Sequence, residues 1–502
     1  MLCVTIGRSR HKAMIAEYQY LAEQGADLVE MRLDYIGRAI DLKRLLAERY
    51  CPVVITCRRR EDGGRWEKTE EERLMLLRNA IASGVDFVDL EDDIATSIPR
   101  YGSTKRIISL HNFERTPEDL EETHARLAAM DADVVKIATM ANSFADCIRM
   151  LRMVEAANIP TIGLCMGDTG AVTRILGLRY GAPFTFTTLS SERKIAPGQI
   201  TFETMRDVYR PKQIDEETRL FGVVADPVAH SLSPQIHNAA FQQDQLNCRY
   251  LPFRIVEEEL PLFLEWCKQS GVEGLSVTIP HKESMLALMD EAESASQGIG
   301  AINTVSIKNK VTSGYNTDYR AAMDCLTEAL KTQKTMHNQA FREEDLFRGR
   351  GVMLLGAGGV ARAIGYGLRQ RGADVSIASR TETRAQELAR SIGGHSVPWA
   401  QRHNQSVGIL VNCTPIGMHP DTDRSPYLAE KLKSDTIVFD TVYNPEQTML
   451  IKDAKKTGCF VINGLDMFVR QAAYQYKLFT GLEPPSRLMR DTVKRLTSPV
   501  KY

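Results

Sequence analysis

Short apolar runs alternate with longer amphipathic stretches along the first 188 residues of the chain. Eight of the runs are rich in β-branched residues and have the length of strands, and helical spacing fills most of the intervals between them. Such helical stretches include Ala13–Gln24, Glu70–Ala82 and Pro117–Ala129. Eight strand–helix units in about 200 residues predict a (β/α)8 barrel at the small end of its size range. An open α/β sheet is the alternative that this pattern leaves open. The predicted strands are Cys3–Ile6, Leu28–Leu33, Val53–Thr56, Phe87–Leu90, Arg106–Leu110, Val134–Ala138, Thr161–Cys165 and Phe184–Thr188.

The pattern breaks near Val208–Arg219, which is polar and contains Pro211. Strand-like apolar residues resume at Leu220–Val224. We therefore predict one domain over residues 1–209 and a second over residues 219–502, although a surface loop inside a single domain would also have this composition.

The composition is that of an ordinary globular protein. The 502 residues predict roughly three domains, with 43% hydrophobic residues, 25% charged residues and a formal net charge of −1. Nothing in this balance indicates a nucleic-acid or membrane partner. The N-terminus enters a strand-like run directly, so no targeting peptide is visible. The ten cysteines are scattered singly, without metal-ligand spacing, which predicts no metal site and reduced thiols in a cytoplasm.

A lysine, Lys136, lies in the middle of the predicted strand Val134–Ala138. A lysine buried among apolar neighbours tends to become a neutral amine, which can attack a carbonyl group. Taken alone, the residue is also compatible with a strand lysine that reaches the rim of the sheet or pairs with a carboxylate.

Other charged residues at predicted strand ends favour the reactive interpretation, because barrel enzymes place their chemistry there. Glu30 and Arg32 face the same side of one strand and could be a structural ion pair, and His111 could be a hydrogen-bonded loop histidine. Together with Arg58 and Lys136 they predict a site for an anionic carbonyl compound. Arginine binds a carboxylate, lysine forms an imine and histidine transfers protons.

Five motifs in this part of the chain resemble type I 3-dehydroquinate dehydratase over about residues 1–205. They are Val29–Asp34, Thr56–Arg58, Ser109–Phe113, Val135–Ile137 and Ala196–Gln199. The resemblance implies that Lys136 forms a Schiff base with the substrate ketone and that His111 is the general acid/base. The substrate contacts that it implies are Glu30, Arg32, Arg58, Arg174 and Gln199. Two positions depart from the family pattern: Asp62 replaces a glutamate before two glycines, and Ile195 replaces a serine expected to contact substrate.

A glycine-rich turn, Gly356–Ala361, follows the predicted strand Val352–Leu355 and leads into a helical pattern. Its G-x-G-x-x-A form in this context is a dinucleotide-binding fingerprint. The next strand, Val375–Ala378, is followed by arginines where an NAD site usually has an acidic residue. Arginines there suit the additional phosphate of NADP, although they could also be solvated residues at the start of a helix.

Seven motifs around this turn resemble shikimate dehydrogenase over about residues 219–495. Taken singly, the serines could cap a helix, and Lys282 with Asp318 could be an ordinary ion pair. The motifs are Ser231–Pro234, Val277–Glu283, Gly300–Thr304, Gly314–Asp318, Asn412–Met418, Asp440–Pro445 and Gly464–Ala473.

This second resemblance implies that Lys282 and Asp318 are the catalytic pair. The implied contacts to the polyhydroxy acid are Ser231, Ser233, Thr278, Asn303, Tyr443 and Gln471. The implied NADP contacts are Gly356, Ala357, Gly358, Gly359, Val360, Arg380, Thr381 and Arg384, with Thr414, Gly464 and Met467 near the nicotinamide. It also implies a substrate lobe over about residues 219–325, completed by helices at 464–495, and a Rossmann lobe over about residues 348–462.

The two resemblances together predict one bifunctional enzyme that acts on small molecules with NADP as its cofactor. The barrel would dehydrate 3-dehydroquinate to 3-dehydroshikimate, which the second module would reduce to shikimate. One alternative is another Schiff-base barrel, such as a class I aldolase, fused to an NADP dehydrogenase, but it would not account for His111 together with Ala196–Gln199. The other is a non-catalytic sensor on the same folds, which would be expected to lose reactive groups that this chain retains.

Overall fold

The computed structural model describes residues 1–498 as two compact units. The first comprises Met1–Arg219 together with Leu251–Trp266, and the second comprises Leu220–Tyr250 and the chain from Cys267 onward. The domain boundary between residues 209 and 219 stays a prediction, because Leu251–Trp266 groups with the first unit.

Eight parallel strands form the sheet of the first unit, in the order β7-β6-β5-β4-β3-β2-β1-β8. Because β1 pairs with β2 on one side and with β8 on the other, the sheet curls into a nearly closed barrel. This confirms the predicted barrel and all eight predicted strands, and the open-sheet alternative is wrong. The strands are β1 (Leu2–Ile6), β2 (Leu28–Arg32), β3 (Val53–Thr56), β4 (Phe87–Glu91), β5 (Lys105–Asn112), β6 (Val134–Met140), β7 (Thr161–Met166) and β8 (Thr185–Thr188).

Helices follow most of these strands. Thr69 is the N-cap residue of helix α3, and Ser143 is that of α5. At both starts the capping side chain and the acidic residue three positions later satisfy each other's backbone N–H groups. The helices are α1 (His11–Glu23), α2 (Leu42–Leu45), α3 (Glu70–Ala82), α4 (Leu120–Ala128), α5 (Phe144–Ala156), α6 (Gly167–Leu176) and α7 (Phe202–Thr204).

The interior of the barrel is an apolar cluster into which β6 contributes Val134 and Ala138. Side chains two positions apart on a strand share a face. Lys136 therefore points to the same interior as these two residues.

The second unit contains a mixed sheet in the order β10-β9-β11-β13-β14-β12. Helices α15 and α16 follow at the C-terminal end of the chain, yet Leu465, Tyr476 and Val493 from them belong to the apolar core on this sheet. The strands of this sheet are β9 (Arg219–Ala225), β10 (Cys248–Arg254), β11 (Val272–Val277), β12 (Glu291–Ala292), β13 (Thr304–Lys308) and β14 (Val311–Tyr315), and the helices of this part of the chain are α8 (Ser233–Gln243), α9 (Leu260–Gln269), α10 (Ser294–Ile299), α11 (Thr317–Met336), α15 (Gly464–Thr480) and α16 (Ser486–Thr497). The end of β10 and most of α9 lie in the segment Leu251–Trp266, which groups with the first unit.

The other sheet of the second unit is entirely parallel, in the order β17-β16-β15-β18-β19-β20. Counted from its first strand this is the order 3-2-1-4-5-6, which is that of the Rossmann fold. The predicted Rossmann lobe is thereby confirmed as a fold. Its elements are β15 (Gly351–Leu355), β16 (Asp374–Ala378), β17 (His395–Ser396), β18 (Ile409–Asn412), β19 (Ile437–Asp440), β20 (Phe460–Ile462), α12 (Gly359–Gln370), α13 (Glu382–Ile392) and α14 (Met449–Thr457).

Candidate active sites

A small cavity of about 60 Å³ lies at the C-terminal ends of the barrel strands. Its lining is rich in charged side chains. All the residues predicted for this site line it, namely Glu30, Arg32, Arg58, His111, Lys136, Arg174 and Gln199.

The amine of Lys136 is buried in this cavity beside two carboxylates. Its Nζ donates to Oδ2 of Asp89 at 2.9 Å, lies 3.9 Å from Oε1 of Glu30, and is 4.1 Å from the ring centroid of Phe186. From the sequence, a lysine paired with a carboxylate and a lysine in a reactive site are alternatives. In the structure Lys136 pairs with Asp89 and also lines the cavity, so both descriptions apply to it.

Asp89 was not among the predicted residues. Besides Lys136 it accepts from Arg58 Nη2 at 2.7 Å and from Ser109 Oγ at 2.6 Å. Burial raises the pKa of Asp89, but the charges of Arg58 and Lys136 lower it more, and the net pKa lies well below its usual range. The available signal was an acidic residue inside an apolar strand, the same kind of signal that singled out Lys136.

Glu30 and Arg32 do not pair with each other. Glu30 accepts from the hydroxyls of Thr5 at 2.7 Å and Thr56 at 2.8 Å. Arg32 instead forms two hydrogen bonds with the carboxylate of Asp34, from Nε at 2.9 Å and from Nη2 at 2.8 Å. The alternative of a structural Glu30–Arg32 ion pair is therefore wrong.

Arg174 is a buried cation without a carboxylate partner among residues 1–498. It is 2% exposed, Nε has no hydrogen-bond partner, and Nη2 has a long contact of 3.4 Å to the carbonyl of Pro197. Burial lowers its pKa to about 10. A buried guanidinium without an anionic partner favours an anionic ligand, because the ligand's charge would offset the cost of burial.

His111 provides a neutral imidazole on the same cavity. Burial, and next the charges of Arg58 and Lys136, hold its pKa well below the usual range. Nδ1 has no hydrogen-bond partner in the described part of the chain, and the ring stacks on Phe113 with centroids 6.4 Å apart. A neutral imidazole can accept a proton from a bound substrate.

Two loops complete the cavity and contain both positions that depart from the family pattern. The backbone N–H groups of Ile195 and Ala196 donate to Oε1 of Gln199 at 2.7 and 3.2 Å. Asp62 accepts from Nε of Arg59 at 2.8 Å. The shorter carboxylate at position 62 thus already has a cationic partner within its own loop.

A larger cavity of about 450 Å³ lies in the second unit. Its lining comes from the mixed sheet, the Rossmann lobe and helix α15. The predicted residues that line it are Ser231, Ser233, Thr278, Lys282, Asn303, Asp318, Val360, Tyr443, Gly464, Met467 and Gln471.

Lys282 and Asp318 form a close ion pair in this cavity. Nζ of Lys282 is 2.5 Å from Oδ2 of Asp318, which lies in the first turn of α11 after the N-cap residue Asn316. A Cβ on Gly359 would lie 3.0 Å from Cδ of Lys282. The lysine therefore touches the start of α12, and a side chain at position 359 would displace it.

The glycine-rich turn leaves room for a dinucleotide. Gly356 has φ +106°, and a Cβ there would lie 3.0 Å from the carbonyl oxygen of Cys413. A Cβ on Gly358, in contrast, would meet nothing within 4 Å. The open space in front of the α12 N-terminus suits a pyrophosphate.

The other predicted cofactor residues lie around this edge of the Rossmann sheet rather than on the 450 Å³ cavity. Arg380 and Arg384 are exposed, and neither has an ion-pair partner among the described residues. Unpaired guanidinium groups at the end of β16 fit a ribose phosphate. The remaining members of this group are Ala357, Thr381 and Thr414.

Gln475 is a cavity residue that the sequence reasoning missed. It lies one helical turn after Gln471 on α15, and its Nε2 donates to the carbonyl of Asn303 at 3.1 Å. Oε1 of Gln475 accepts a hydrogen bond from the hydroxyl of Ser276 at 2.7 Å. The Ser276 hydroxyl in turn accepts one from the hydroxyl of Tyr250 at 2.5 Å. The i, i+4 spacing from Gln471 was the signal that could have found it.

Family models match both parts of the chain. Type I 3-dehydroquinase matches residues 2–216, and the shikimate dehydrogenase substrate binding domain matches residues 223–305. Residues 464–494 match the shikimate 5'-dehydrogenase C-terminal domain, and residues 351–443 match an NADP oxidoreductase, coenzyme F420-dependent.

Curated relatives show the same division. A chloroplastic bifunctional 3-dehydroquinate dehydratase/shikimate dehydrogenase of Arabidopsis thaliana is 36% identical over 97% of this chain and 83% of its own length. A shikimate dehydrogenase (NADP(+)) of Methanocaldococcus jannaschii is 36% identical over 56% of this chain and 98% of its own length.

Solved structures resemble the second part of the chain. A shikimate dehydrogenase in complex with NADP+ is 34% identical, covers 57% of this chain and 98% of its own, and has a TM-score of 0.51. A chorismate mutase/shikimate 5-dehydrogenase fusion protein from Clostridium acetobutylicum is 26% identical, covers 57% of this chain and all of its own, and has a TM-score of 0.50. Within residues 1–498, no helix combines the length and apolar character that crossing a bilayer requires.

Proposed function

We propose roles for the residues of both cavities from the premise that this chain belongs to the family of bifunctional 3-dehydroquinate dehydratase/shikimate dehydrogenases. As a member it is a lyase and an NADP-dependent oxidoreductase. The first reaction converts 3-dehydroquinate to 3-dehydroshikimate, and the second reduces 3-dehydroshikimate to shikimate. The predicted function and the NADP cofactor are confirmed by the relatives and family models, whereas the individual residue roles are proposals.

In the barrel, Lys136 is the nucleophile. Its amine nitrogen bonds to the ketone carbon of dehydroquinate and water leaves, which gives an iminium group. His111 takes a proton from the adjacent carbon, and the electron pair of that C–H bond moves into the C=N group. The enamine then expels the neighbouring hydroxyl, which leaves as water with the proton from His111. Water hydrolyses the imine and frees Lys136.

Arg174 binds the substrate carboxylate. The observation that carries this assignment is its burial without an anionic partner, on the same cavity as Lys136 and His111. Glu30, Arg32, Arg58 and Gln199 surround the remaining polar groups of the substrate.

In the second unit, Lys282 and Asp318 act on the carbonyl end of 3-dehydroshikimate. NADPH supplies a hydride when it is bound. Lys282 donates a proton to the oxygen on which negative charge develops, and Asp318 orients the amino group of Lys282 through their hydrogen bond. The polyhydroxy acid is held by Ser231, Ser233, Thr278, Asn303, Tyr443 and Gln471.

A coupled assay tests the two activities together. The purified chain receives 3-dehydroquinate and NADPH, and loss of the cofactor absorbance is followed. We expect consumption of NADPH that stops when dehydroquinate is omitted. Consumption with added 3-dehydroshikimate but not with dehydroquinate would contradict the barrel assignment, and no consumption with either would contradict both.

We also propose a cytoplasmic location. All ten cysteines are free thiols, which fits a reducing compartment. Thiol titration of the native protein before and after reductant tests this, and an increase after reduction would argue against it.

A further inference from the structure

Asp89 contacts Arg58 and Lys136, two of the charged residues that line the barrel cavity. It is 1% exposed, and both of its carboxylate oxygens are engaged: Oδ2 by Lys136, and Oδ1 by Arg58 and Ser109. Glu30 is the other carboxylate near Lys136, but it is 3.9 Å away. Asp89 is therefore the anion in direct contact with the reactive nitrogen.

We propose that Asp89 is the counter-ion of the Lys136 imine and keeps that imine protonated while dehydration proceeds. The inference rests on the proposed Schiff-base function. When the Lys136 nitrogen bonds to the ketone carbon and water leaves, the nitrogen carries one N–H and a positive charge. That N–H takes the place of the ammonium N–H that now donates to Oδ2 of Asp89.

The protonated form is needed because the C–H electron pair must move into the C=N group. A cationic nitrogen accepts these electrons far better than a neutral one. An anion 2.9 Å away in a buried site favours the cation strongly, since charges interact more strongly there than in water.

Asp89 acts as a fixed charge rather than as a base. Its pKa lies well below the usual range, so it stays ionised while the nitrogen reacts. The proton of the substrate C–H bond therefore goes to His111, whose pKa is also lowered.

The surrounding charges make Asp89 necessary. Lys136 lines the cavity together with the cations Arg32, Arg58 and Arg174, the carboxylate Glu30 and the neutral imidazole of His111. Glu91 pairs with Arg58, and the thiol of Cys3 interacts electrostatically with Lys136. Burial raises the pKa of Cys3 well above its usual value, so the thiol is neutral. Glu91 is neutralised in turn by Arg73 at 2.8 Å. Asp89 contacts both the guanidinium of Arg58 and the Lys136 nitrogen. Without Asp89, the positive charge of Arg58 would disfavour the iminium.

The Asp89→Asn variant tests the proposal because it removes the charge and keeps the shape. Removing an anion beside a cation makes the cation easier to deprotonate. We expect kcat for dehydration to fall by roughly 10²-fold or more. The pH at which activity is lost on the alkaline side should be lower than in the wild type by at least about one unit. A shift of one unit corresponds to a tenfold loss of protonated imine at alkaline pH.

Trapping with cyanoborohydride, which reduces protonated imines, gives an independent readout. With dehydroquinate present, the wild type should be labelled on Lys136 equally well at pH 6 and pH 9. Asp89→Asn should be labelled at pH 6 and much less at pH 9. Asp89→Glu restores the charge and should recover the wild-type dependence, and Asp92→Asn is a control on the same segment, with its carboxylate bound by Arg126 outside the cavity.

Each outcome decides between the two proposals. An unlabelled wild type overturns the Schiff-base function itself. A labelled wild type with the same pH dependence in Asp89→Asn overturns only the counter-ion. Far-UV circular dichroism shows whether Asp89→Asn folds. If it does not, the wild type alone decides: a labelling yield that is lower at pH 9 than at pH 6 would overturn the assignment of Asp89 as the counter-ion.

Discussion

The basic side chains of the barrel cavity differ in whether an anion compensates their charge. Arg32, Arg58 and Lys136 each contact a buried carboxylate. Arg174 has none among the described residues, and His111 is kept neutral by burial and by its cationic neighbours. One uncompensated cation and one neutral base are what binding a carboxylate and removing a proton require.

The neutral state of His111 has a consequence for the pH dependence of dehydration. A lowered pKa means that the imidazole stays unprotonated below its ordinary value of about 6.5. Activity is therefore present above the lowered pKa and is lost as the pH falls through it. We expect the acid midpoint of kcat/KM for dehydration to lie clearly below pH 6.5.

The oxidation of shikimate by the same protein, followed over the same pH range, serves as a control for acid denaturation. An acid midpoint at or above pH 6.5 would mean that His111 is not the base, or that its surroundings do not lower its pKa.

Lys282 provides a prediction for the second cavity. Its ammonium lies 2.5 Å from Asp318 and its side chain contacts the start of α12. We expect Lys282→Met to lower the turnover of 3-dehydroshikimate by roughly 10²-fold, the scale of losing a positioned proton donor. The Kd of NADPH, measured by fluorescence titration, should change little.

Lys310→Met is a matched control, because Lys310 is exposed in the turn between β13 and β14. Near-normal turnover of Lys282→Met would show that the lysine is only a structural charge.

At the scale of elements, both sites depend on where strands end and helices begin. The barrel cavity lies at the C-terminal ends of parallel strands, as in other barrels of this kind. In the Rossmann lobe, β15 ends at Leu355 and α12 begins at Gly359, and the turn between them approaches the carbonyl of Cys413. Asp318 owes its position to the first turn of α11.

We expect the choice between NADPH and NADH to be made at the junction of β16 and α13. Arg380 and Arg384 are exposed there, without ion-pair partners in the described structure. A 2′-phosphate can accept charge-assisted hydrogen bonds there, each worth about 1.5–3 kcal/mol. We expect kcat/KM to favour NADPH over NADH by at least roughly tenfold. Replacing both arginines with alanine should weaken NADPH use and leave NADH use almost unchanged.

Arg390→Ala, at an exposed position on the same helix α13, is the control. Two results would show that these arginines do not bind the 2′-phosphate. One is equal use of the two cofactors by the wild type, and the other is a preference for NADPH that persists in the double variant.

At the scale of the whole molecule, the two cavities are built from separate sets of residues. The first is lined by residues 5–199 and the second by residues 223–475. Each reaction can therefore be abolished by a change in its own cavity.

The Lys136→Ala variant tests this separation. It removes the nucleophile of the barrel, so we expect dehydration of 3-dehydroquinate to be abolished. Oxidation of shikimate with NADP+ should remain within about twofold of the wild type. The reciprocal control is Lys282→Met, which should retain dehydration. Equal loss of both activities in Lys136→Ala would instead indicate that the two reactions depend on a shared set of residues.

The sequence by itself determined the elements of the barrel and the place of the glycine-rich turn. The alternation of apolar runs and helical spacing predicted all eight barrel strands, because periodicity is a local property that a strand shows without its neighbours. The turn at Gly356–Ala361 was predicted for a similar reason, since the glycines are required by the path of the backbone there.

Only the tertiary structure decided which groups pair. Lys136 and Asp89 are 47 residues apart, and nothing local links them. Arg32 binds Asp34 rather than Glu30, and Arg174 is the buried arginine of the cavity left without a carboxylate. Partner choice depends on how strands align across the barrel and on how deeply each charge is buried, and neither quantity is contained in the spacing of residues along the chain.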